Sequence, residues 1–381
     1  MNVVVTHGFE PNYTLGFVRG LAANNVPLVV MSADDTAERF TSSGIANINI
    51  RGAQSEGRSY SRKIVGLSRY YLRLLWQIFR HRGGTVHFTG IFRNELILVE
   101  GIILNLSLRF LSRRYLYTAH NILPHNRRNS AFFRFIYLII YRIPDVVLVH
   151  TEEGARLLKE QFGVPVDKIK VISIGLNEEV PVTPLSRQEA RHMLGYTNED
   201  RTILFFGRID EYKGLHLLLE AFDGLEIKNS KLLVAGSLRN APYASMITAK
   251  IGASARKADI RIDFRIVPNE EIEGLFKAAD VLCLPYLHIT QSGILFLSAR
   301  FGTPVVCTNV GSLSDYVTPE SGLVAQSNDS VGIKAALEQF FANPDRFDRE
   351  QIRQAGNRYR WDWICHDLVP FYEQCQLSGH S

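Results

Sequence analysis

Two cations flank a tight glycine turn in the second half of the chain, at a spacing that suits a diphosphate. The segment from Ile203 to Phe222 reads ILFFGRIDEYKGLHLLLEAF. Its apolar start predicts a strand, Gly207 predicts a tight turn, and the periodic apolar residues after the turn predict a helix. Arg208 and Lys213 would therefore lie between a strand end and a helix N-terminus, whose unpaired N–H groups also attract anions. The alternative interpretation is that both residues are solvated loop cations.

A second polar turn follows a later strand. In the segment ADVLCLPYLHITQSGILFLSARFG an apolar strand runs into Tyr286, and a helix begins after the letters TQSG. Gly293 permits a close approach of the backbone, and the start of the helix offers unpaired N–H donors. Contacts to phosphate or sugar are therefore predicted for Thr290, Gln291 and Ser292.

The first half of the chain places a histidine after a predicted strand. The segment YLYTAHNILPHN predicts a strand that ends at Thr118 and is followed by His120 and Asn121, with His125 further along the loop. A loop histidine is more often only a surface residue. Its position here favours a functional role, because an imidazole can donate a hydrogen bond to a hydroxyl group or help to polarise it.

The opening loop, THGFEPN, follows the first predicted strand. Gly8 in this loop suits a ligand that approaches the backbone closely, although any first loop of an α/β protein can contain a glycine. Glu10 and Asn12 are possible contacts for a second substrate.

The sequence GRIDEYKG is similar to the donor-binding loop of retaining glycosyltransferase family 4, which has the two-domain GT-B fold. The resemblance implies that Arg208 and Lys213 hold the diphosphate of a nucleotide sugar. The segment around YTAHN resembles the first-domain histidine motif of that family, which implies that His120 lies beside the reacting sugar. The resemblance is closer in the second half of the chain than in the first.

The chain departs from the family pattern at two positions. The family usually places two glutamates eight residues apart across the second turn and its helix, and here those positions hold Thr290 and Ser298. Ser298 could still give the ribose one hydrogen bond, as a weaker neutral partner. The TQSG form resembles relatives that act in exopolysaccharide assembly.

These interpretations define three sets of predicted site residues. The catalytic set is His120, Arg208 and Lys213; the donor-binding set is Gly8, Gly207, Arg208, Lys213, Tyr286, Thr290, Gln291, Ser292, Gly293 and Ser298; the acceptor-binding set is Glu10, Asn12, Asn121 and His125. No metal ligand is predicted, because no acidic pair stands where a divalent ion would bridge phosphates.

Short apolar runs alternate with helix-period segments along the whole chain, which predicts parallel sheets covered by helices. The predicted strands are Val3–Thr6, Pro27–Met31, Thr85–Phe88, Tyr115–Thr118, Val146–Val149, Thr202–Phe206, Lys231–Ala235, Ile260–Phe264, Val281–Leu284 and Pro304–Cys307. We therefore expect two Rossmann-like doubly wound domains facing across a cleft, and the resemblance implies that they are of the GT-B type. Their predicted bounds are residues 1–178 for the acceptor domain and 179–356 for the nucleotide-sugar domain. A crossover helix and tail, residues 357–381, is predicted to pack back toward the first domain.

Positive charge is concentrated in the first half of the chain. Residues 1–180 hold 22 Lys and Arg against 14 Asp and Glu, although the whole 381-residue chain has a net charge of only +5. The stretch from Arg58 to Arg82 contains seven cations and no acid. Five of them share one helical face: Arg58, Arg62, Arg69, Arg73 and Arg80. This amphipathic pattern favours binding to an anionic membrane surface. The alternative is a sheet-covering helix with a solvated outer face.

Several classes are disfavoured by what the sequence lacks. There is no signal-peptide pattern, no apolar run long enough to span a bilayer, no dinucleotide fingerprint, no P-loop and no nucleic-acid-binding module. The four cysteines, Cys283, Cys307, Cys365 and Cys375, show no metal-ligand spacing. We therefore expect a cytoplasmic protein that is peripheral at the inner face of the membrane, with no cofactor, no metal and no nucleic-acid partner.

Taken with the resemblance, these features predict a hexosyltransferase. It would move a hexose from a GDP- or UDP-linked sugar to a membrane-associated acceptor, with retention at the anomeric carbon. The preferred acceptor is a polyprenyl-diphosphate-linked saccharide or other glycolipid. Two alternatives stay open: a GT-B sugar-nucleotide epimerase or hydrolase, and a non-catalytic nucleotide-sugar-binding partner subunit, which the missing glutamates would suit.

Overall fold

The structure is a computed structural model that describes residues 1–6, 11–50, 60–91, 96–123, 130–289 and 291–373. The chain divides into two compact units. The first consists of Met1–Gly175 together with the segment from Tyr359 onward, and the second consists of Leu176–Arg358. Each unit has its own sheet and its own hydrophobic core.

The first unit contains a seven-stranded parallel sheet in the order β3-β2-β1-β4-β5-β6-β7. Its strands are β1 Asn2–Val5, β2 Leu28–Ser32, β3 Asn47–Asn49, β4 Thr85–Phe88, β5 Arg114–Thr118, β6 Val146–Val149 and β7 Ile169–Val171. Its helices are α1 Pro11–Ala23, α2 Asp34–Ser42, α3 Tyr60–Arg80, α4 Asn105–Leu111, α5 Ala131–Arg142 and α6 Glu152–Phe162, with a π-helical turn at Val99–Leu104 and a 3₁₀ turn at Val166–Lys168.

The second unit contains a six-stranded parallel sheet in the order β10-β9-β8-β11-β12-β13. Its strands are β8 Arg201–Phe206, β9 Ser230–Ala235, β10 Ile260–Asp263, β11 Val281–Leu284, β12 Val305–Cys307 and β13 Gly322–Val324. Its helices are α7 Arg187–Met193, α8 Leu215–Asp223, α9 Ala241–Ala253, α10 Asn269–Ala278, α11 Gly293–Phe301, α12 Leu313–Tyr316, α13 Ser330–Ala342 and α14 Arg349–Gly356. A 3₁₀ turn at Glu211–Lys213 precedes α8.

Helices cover both faces of the first sheet, so the inner strands are continuous apolar runs. Val3 and Val5 of β1 face one buried cluster, whereas Val4 between them faces the other, as the alternation of a strand requires. The first cluster includes the inner sides of α3, α4 and α5, and the second includes those of α1 and α2. These apolar runs are what made the inner strands predictable from the sequence.

The chain returns to the first unit after α14. Two short helices, α15 Trp361–His366 and α16 Val369–Tyr372, pack on the α1 side of the sheet. Trp361 lies so close to α1 that a Cβ on Gly16 would fall 2.0 Å from its Nε1. The predicted packing of a C-terminal helix on the first domain is thus confirmed, but the helix is broken in two. Pro370, which has no N–H to donate, stands in the first turn of α16.

All ten predicted strands are present, and three short strands, β3, β7 and β13, were missed. Each missed strand has three residues and lies at the edge of its sheet. None of the helices within the described ranges is both long enough and apolar enough to cross a bilayer.

Candidate functional site

The two predicted donor loops lie at the switch point of the second sheet. Strands β8 and β11 are neighbours there, and the strand order runs outward from them in opposite directions. The loop after β8 contains Arg208 and Lys213, and the loop after β11 leads to the TQSG turn. In open α/β sheets, ligands bind at the carboxyl ends of the strands on either side of such a point.

Close backbone contacts hold these two loops together. The Leu287 N–H donates to the carbonyl of Tyr212 at 2.8 Å, so the second loop is hydrogen-bonded to the first. Gly214 has a φ of +67°, and a Cβ there would lie 1.9 Å from the carbonyl oxygen of Pro285. Gly207 has a φ of +105°, and its Cβ would meet the side chain of Ile294 at 2.4 Å. Backbone conformation favours glycine at both turns, and at position 214 the Pro285 carbonyl also leaves no space for a Cβ.

Lys213 is a buried cation whose Nζ has no hydrogen-bond or ion-pair partner among the described residues. The residue is only 7% exposed, and its Nζ lies 5.1 Å from the centre of the Tyr286 ring. Burial is the main cause that lowers the pKa of Lys213 to about 8, and the charge of Arg208 lowers it further. A buried ammonium group without a carboxylate is costly, so this position favours an anion from outside the chain.

Arg208 differs from Lys213 in exposure. Its side chain is 61% exposed, and its Nε lies 2.9 Å from a carboxylate oxygen of Asp210. A guanidinium N–H also donates to the Tyr212 hydroxyl at 3.3 Å, and this bond is the main cause that raises the pKa of Arg208. The guanidinium group is thus charged and positioned at the mouth of the loop.

The polar turn before α11 brings several predicted residues together. Ser292 is buried and precedes the first helical residue, Gly293, and its hydroxyl lies 3.3 Å from the Tyr286 hydroxyl. Gln291 is half-buried beside it. Gly293 is exposed, its φ is not positive, and no described atom lies within 4 Å of a Cβ built there. The fold gives no reason for a glycine at this position. Thr290 lies outside the described residues.

Ser298 does not present its side chain to this turn. The residue is 2% exposed, and its hydroxyl donates to the Leu295 carbonyl within α11 at 2.6 Å. The predicted contact of Ser298 with the ribose stays a prediction, and it would have to use the acceptor lone pairs of the hydroxyl.

In the first unit, His120 follows β5 and lies against a second histidine. Its Nδ1 is 3.1 Å from Nε2 of His150, and the two ring centroids are 5.0 Å apart. Burial lowers the pKa of His120 to about 4, although a contact with the Thr89 backbone opposes this shift. The ring is therefore neutral near pH 7. Tyr13 of α1 packs edge-on against His120 at 4.6 Å.

Of the four predicted acceptor contacts, Asn12 and Asn121 are exposed and the other two lie outside the described residues. Asn12 is exposed on α1, and its side-chain oxygen accepts a hydrogen bond from Arg39 at 3.0 Å. Asn121 is exposed next to His120, and its backbone carbonyl accepts from the Tyr141 hydroxyl at 3.3 Å. Gly8, Glu10 and His125 lie outside the described residues.

Helix α3 carries the described part of the basic stretch. Arg69, Arg73 and Arg80 are exposed, as the helical spacing predicted, whereas Tyr70 and Leu74 are buried in the core. The same outer face also exposes large apolar residues: Leu72 is 70% exposed, Trp76 59% and Phe79 44%. The start of the stretch, residues 58 and 59, lies outside the description.

The sequence analysis missed two groups of residues with functional potential. The first is His150, although it follows strand β6 as His120 follows β5, and that shared position was the available signal. The second is a set of exposed apolar side chains on the elements that follow α3 in the chain. Its members are Ile103 at the π-helical turn, Phe110 of α4 and Phe135 of α5, of which Phe110 is 84% exposed.

Two Rossmann-like units, with cations and glycine turns at the switch point of the second, define a two-domain α/β protein. Two family models match these units in succession. The model described as Glycosyltransferase Family 4 matches residues 11–180, and the model described as Glycosyl transferases group 1 matches residues 186–359. The chain therefore belongs to the family 4 glycosyltransferases, as the motifs implied.

Similar proteins agree with this membership. An uncharacterized glycosyltransferase of Methanocaldococcus jannaschii is 30% identical over 252 residues, which are 62% of this chain and 62% of that protein. D-inositol 3-phosphate glycosyltransferase of Corynebacterium urealyticum is 28% identical over 239 residues, which are 60% of this chain and 56% of that protein. The matched region thus spans 62% and 56% of the length of these two relatives.

The crystal structure of HepE from Anabaena, in complex with UDP and glucose, has a similar fold. Its TM-score is 0.74 at 13% identity, and the match covers 97% of this chain and 98% of that chain. At this identity the likeness shows the fold alone, which is the GT-B fold that the sequence predicted.

Proposed function

We propose that this protein is a hexosyltransferase that uses a nucleotide diphosphate sugar as its donor. The observation that carries the proposal is the buried lysine Lys213 at the switch point of the second sheet, whose ammonium group has no partner within the part of the chain that the structure describes. A diphosphate would supply the missing anion, and the exposed guanidinium of Arg208 would bind its outer oxygens. Gln291, Ser292 and the backbone at Gly293 would orient the phosphates and the sugar.

The same two cations suit the chemistry of transfer. Negative charge develops on the leaving diphosphate as the bond to the anomeric carbon breaks, and fixed positive groups stabilise that charge. We propose that Arg208 and Lys213 do this in place of a metal ion. Transfer would occur on the same face of the sugar with assistance from the leaving phosphate, so the product would retain the anomeric configuration. NMR of the product tests this, since an inverted anomeric carbon would contradict it.

In the first unit, His120 is the residue we propose to contact the transferred sugar. Its neutral ring can form one hydrogen bond as a donor and one as an acceptor. Glu10, Asn12, Asn121 and His125 remain the proposed acceptor contacts. Gly8 remains a proposed donor contact through its backbone.

The donor is proposed to be UDP- or GDP-linked. The structure of HepE from Anabaena contains UDP and glucose, and a second structure of that protein contains UDP-glucose. These complexes support UDP-glucose as the first probe, because the two proteins share a fold.

The acceptor is proposed to be a polyprenyl-diphosphate-linked saccharide or other glycolipid at the cytoplasmic face of a membrane. Support comes from the outer face of α3, where arginines and large apolar side chains are exposed together. Further exposed apolar side chains lie on α4, which packs against α3, and on the π-helical turn, which packs against α4 and α5. Exposed aromatic and aliphatic side chains among cations are typical of surfaces that lie in the interface of an anionic bilayer.

Calorimetry with UDP, UDP-glucose, GDP and GDP-mannose tests the donor site. We expect heat of binding with at least one ligand. Lys213→Met should weaken that binding by about 10- to 100-fold, because a hydrogen bond to a charged group contributes roughly 1.5–3 kcal/mol. Arg208→Gln should have a smaller effect, since water screens its exposed charge.

Lys250→Met is the matched control. Lys250 is a lysine of the same unit, but its Nζ already contacts a carboxylate oxygen of Glu220 at 2.6 Å. Its replacement should leave nucleotide affinity unchanged. No heat with any of the four ligands, or an equal loss in both lysine variants, would remove the basis of the proposal. Turnover of the donor without an acceptor would instead favour a hydrolase or epimerase.

A further inference from the structure

His150 contacts His120 in the first unit and is not used in the proposal above. The two residues follow adjacent parallel strands, β5 and β6, so both lie at the carboxyl edge of the sheet. The 3.1 Å distance between Nε2 of His150 and Nδ1 of His120 is a hydrogen-bond distance. One of these two nitrogens must therefore carry the proton between them.

The backbone decides which nitrogen carries that proton. Nδ1 of His150 lies 3.2 Å from the carbonyl oxygen of Ile172, which can only accept a hydrogen bond. Nδ1 of His150 is thus the protonated nitrogen. Burial lowers the pKa of His150 to about 3, so the ring is neutral and carries only this one proton. Its Nε2 must therefore accept, and the proton between the rings belongs to Nδ1 of His120.

The ring of His120 is neutral too, so it carries a single proton. The Thr89 backbone also lies near this ring, but among the described residues the hydrogen bond that His120 forms is the one to His150, so we assign the proton to that bond. We propose that His150 is a positioning residue, which fixes the orientation and the tautomer of His120 so that His120 Nε2 accepts a hydrogen bond from a sugar hydroxyl. This inference rests on the proposed function for its substrate, but the tautomer follows from the first unit alone. It selects one of the two roles that His120 could have, since a ring fixed in this way does not donate from Nε2.

Packed aromatic rings hold the pair in place. Tyr13 contacts both imidazoles edge-on, at 4.6 Å from His120 and 5.1 Å from His150. Trp361 also packs edge-on against Tyr13, with the ring centroids 5.1 Å apart. The third titratable imidazole nearby, His87, is fully buried and has both ring nitrogens engaged, by Tyr372 at 2.6 Å and Thr118 at 2.7 Å. His87 therefore does not compete for the proton between the other two rings.

The tautomer can be observed directly in the full-length protein. Ring ¹⁵N NMR of histidine-labelled protein, with the His120 signals assigned by their loss in His120→Gln, distinguishes Nδ1–H from Nε2–H. We expect Nδ1–H in the unaltered protein. His150→Leu removes the acceptor and should shift His120 toward Nε2–H. In His150→Gln the amide can donate to Ile172 and accept from His120, so the Nδ1–H form should be restored.

Turnover provides a second readout. With UDP-glucose as the probe, His150→Leu should lower kcat by about 10²-fold, the scale of a misplaced reactive group, with little change in KM. His150→Gln should recover most of that loss. His87→Leu is the control for stability, because it removes another buried imidazole of the same unit and should leave the His120 tautomer unchanged.

The two levels of the inference can fail separately. An Nε2–H form of His120 in the unaltered protein, or an unchanged His120 spectrum in His150→Leu, overturns the inference whatever the enzyme does. A confirmed tautomer with no loss of turnover in His120→Gln would instead remove His120 from the proposed mechanism. Equal losses of kcat in His150→Leu and His150→Gln would indicate that His150 acts only through packing.

Discussion

At the scale of single residues, the most informative contrast lies between the two cations of the second unit. Arg208 and Lys213 stand five positions apart in one loop, and both were visible in the sequence as potential diphosphate ligands. Their different burial was not visible in the sequence, because Tyr286, whose ring packs against the ammonium group of Lys213, lies more than seventy residues further along the chain. Composition and spacing thus located the cations, and the tertiary contact determined which one is buried.

The lowered pKa of Lys213 predicts a pH dependence. The pKa is about 8 in the folded chain, whereas an unfolded lysine titrates near ~10.4. At a pH between these two values Lys213 is largely neutral in the folded chain and largely protonated in the unfolded chain. The unfolded chain therefore binds more protons than the folded chain, so the free energy of unfolding increases with pH in this range. A bound diphosphate favours the charged lysine, so binding at pH 8 should take up about half a proton, and nucleotide affinity should fall above that pH.

Calorimetry at pH 8 in two buffers with different ionisation enthalpies measures this uptake. Lys213→Met should bind nucleotide more weakly and without the uptake, and Lys250→Met should behave like the unaltered protein. An uptake that persists in Lys213→Met would assign the proton to another group.

Two glycines of the donor loops should respond differently to alanine. Gly214→Ala places a Cβ 1.9 Å from the Pro285 carbonyl at a φ of +67°, and the left-handed backbone alone costs about 1–3 kcal/mol. Gly293→Ala meets no described atom within 4 Å, and alanine suits a helix. Gly293→Ala should therefore keep its thermal stability and lose about tenfold in nucleotide affinity, which is about 1.4 kcal/mol. Gly293→Ala with unchanged affinity would show that no ligand approaches the backbone there.

At the scale of elements, the pattern of predicted and missed strands has a simple cause. Inner strands such as β8 and β11 are buried on both faces and are continuous apolar runs, so the sequence defined them. Edge strands such as β3 pair on one side only, and Asn47 and Asn49 flank a single apolar residue in it. His150 was missed for a related reason: its partner lies 30 residues away, and only the pairing of β5 with β6 brings the two together.

Helix α3 carries the element-scale prediction. Replacing Arg69, Arg73 and Arg80 by glutamine should weaken binding to vesicles of phosphatidylglycerol and phosphatidylcholine by about 10²-fold, because each cation near an anionic surface contributes ~1 kcal/mol. Cosedimentation at low and physiological salt measures the change. The matched control replaces three exposed cations of the second unit, Arg201, Lys228 and Lys257. Equal losses in both triple variants would reveal a nonspecific charge effect.

At the scale of the whole molecule, the last described segment belongs to the first unit although the second unit lies between them in sequence. Trp361 fills a space bordered by three glycines, Gly16, Gly20 and Gly175, where any Cβ would fall within 2.3 Å of it. The Tyr372 carbonyl accepts a hydrogen bond from Asn2 at 3.0 Å. The return of this segment to the first domain was predicted, whereas its division into two helices, the second with Pro370 in its first turn, was not.

Ending the chain after Arg358 should therefore damage the first unit selectively. Loss of a buried tryptophan alone costs about 3–5 kcal/mol, a large part of an ordinary domain's stability. Limited proteolysis should show cleavage within residues 1–175, while the second unit, whose core is separate, should still bind nucleotide in calorimetry. A chain ended after Glu373 keeps α15 and α16 and is the control. Equal protease resistance of the two shortened proteins would contradict the structural role of these helices.

The discontinuity of the first unit also constrains how the protein is made. The segment with α15 and α16 leaves the ribosome only after the second unit has been synthesised. Until then the side chains of Tyr13 and Phe17 in α1 lack their contact with the Trp361 ring, so apolar surface stays exposed on the nascent chain. The N-terminal portion must wait in an incomplete state while the later portion matures, which reverses the usual order in which domains fold during translation.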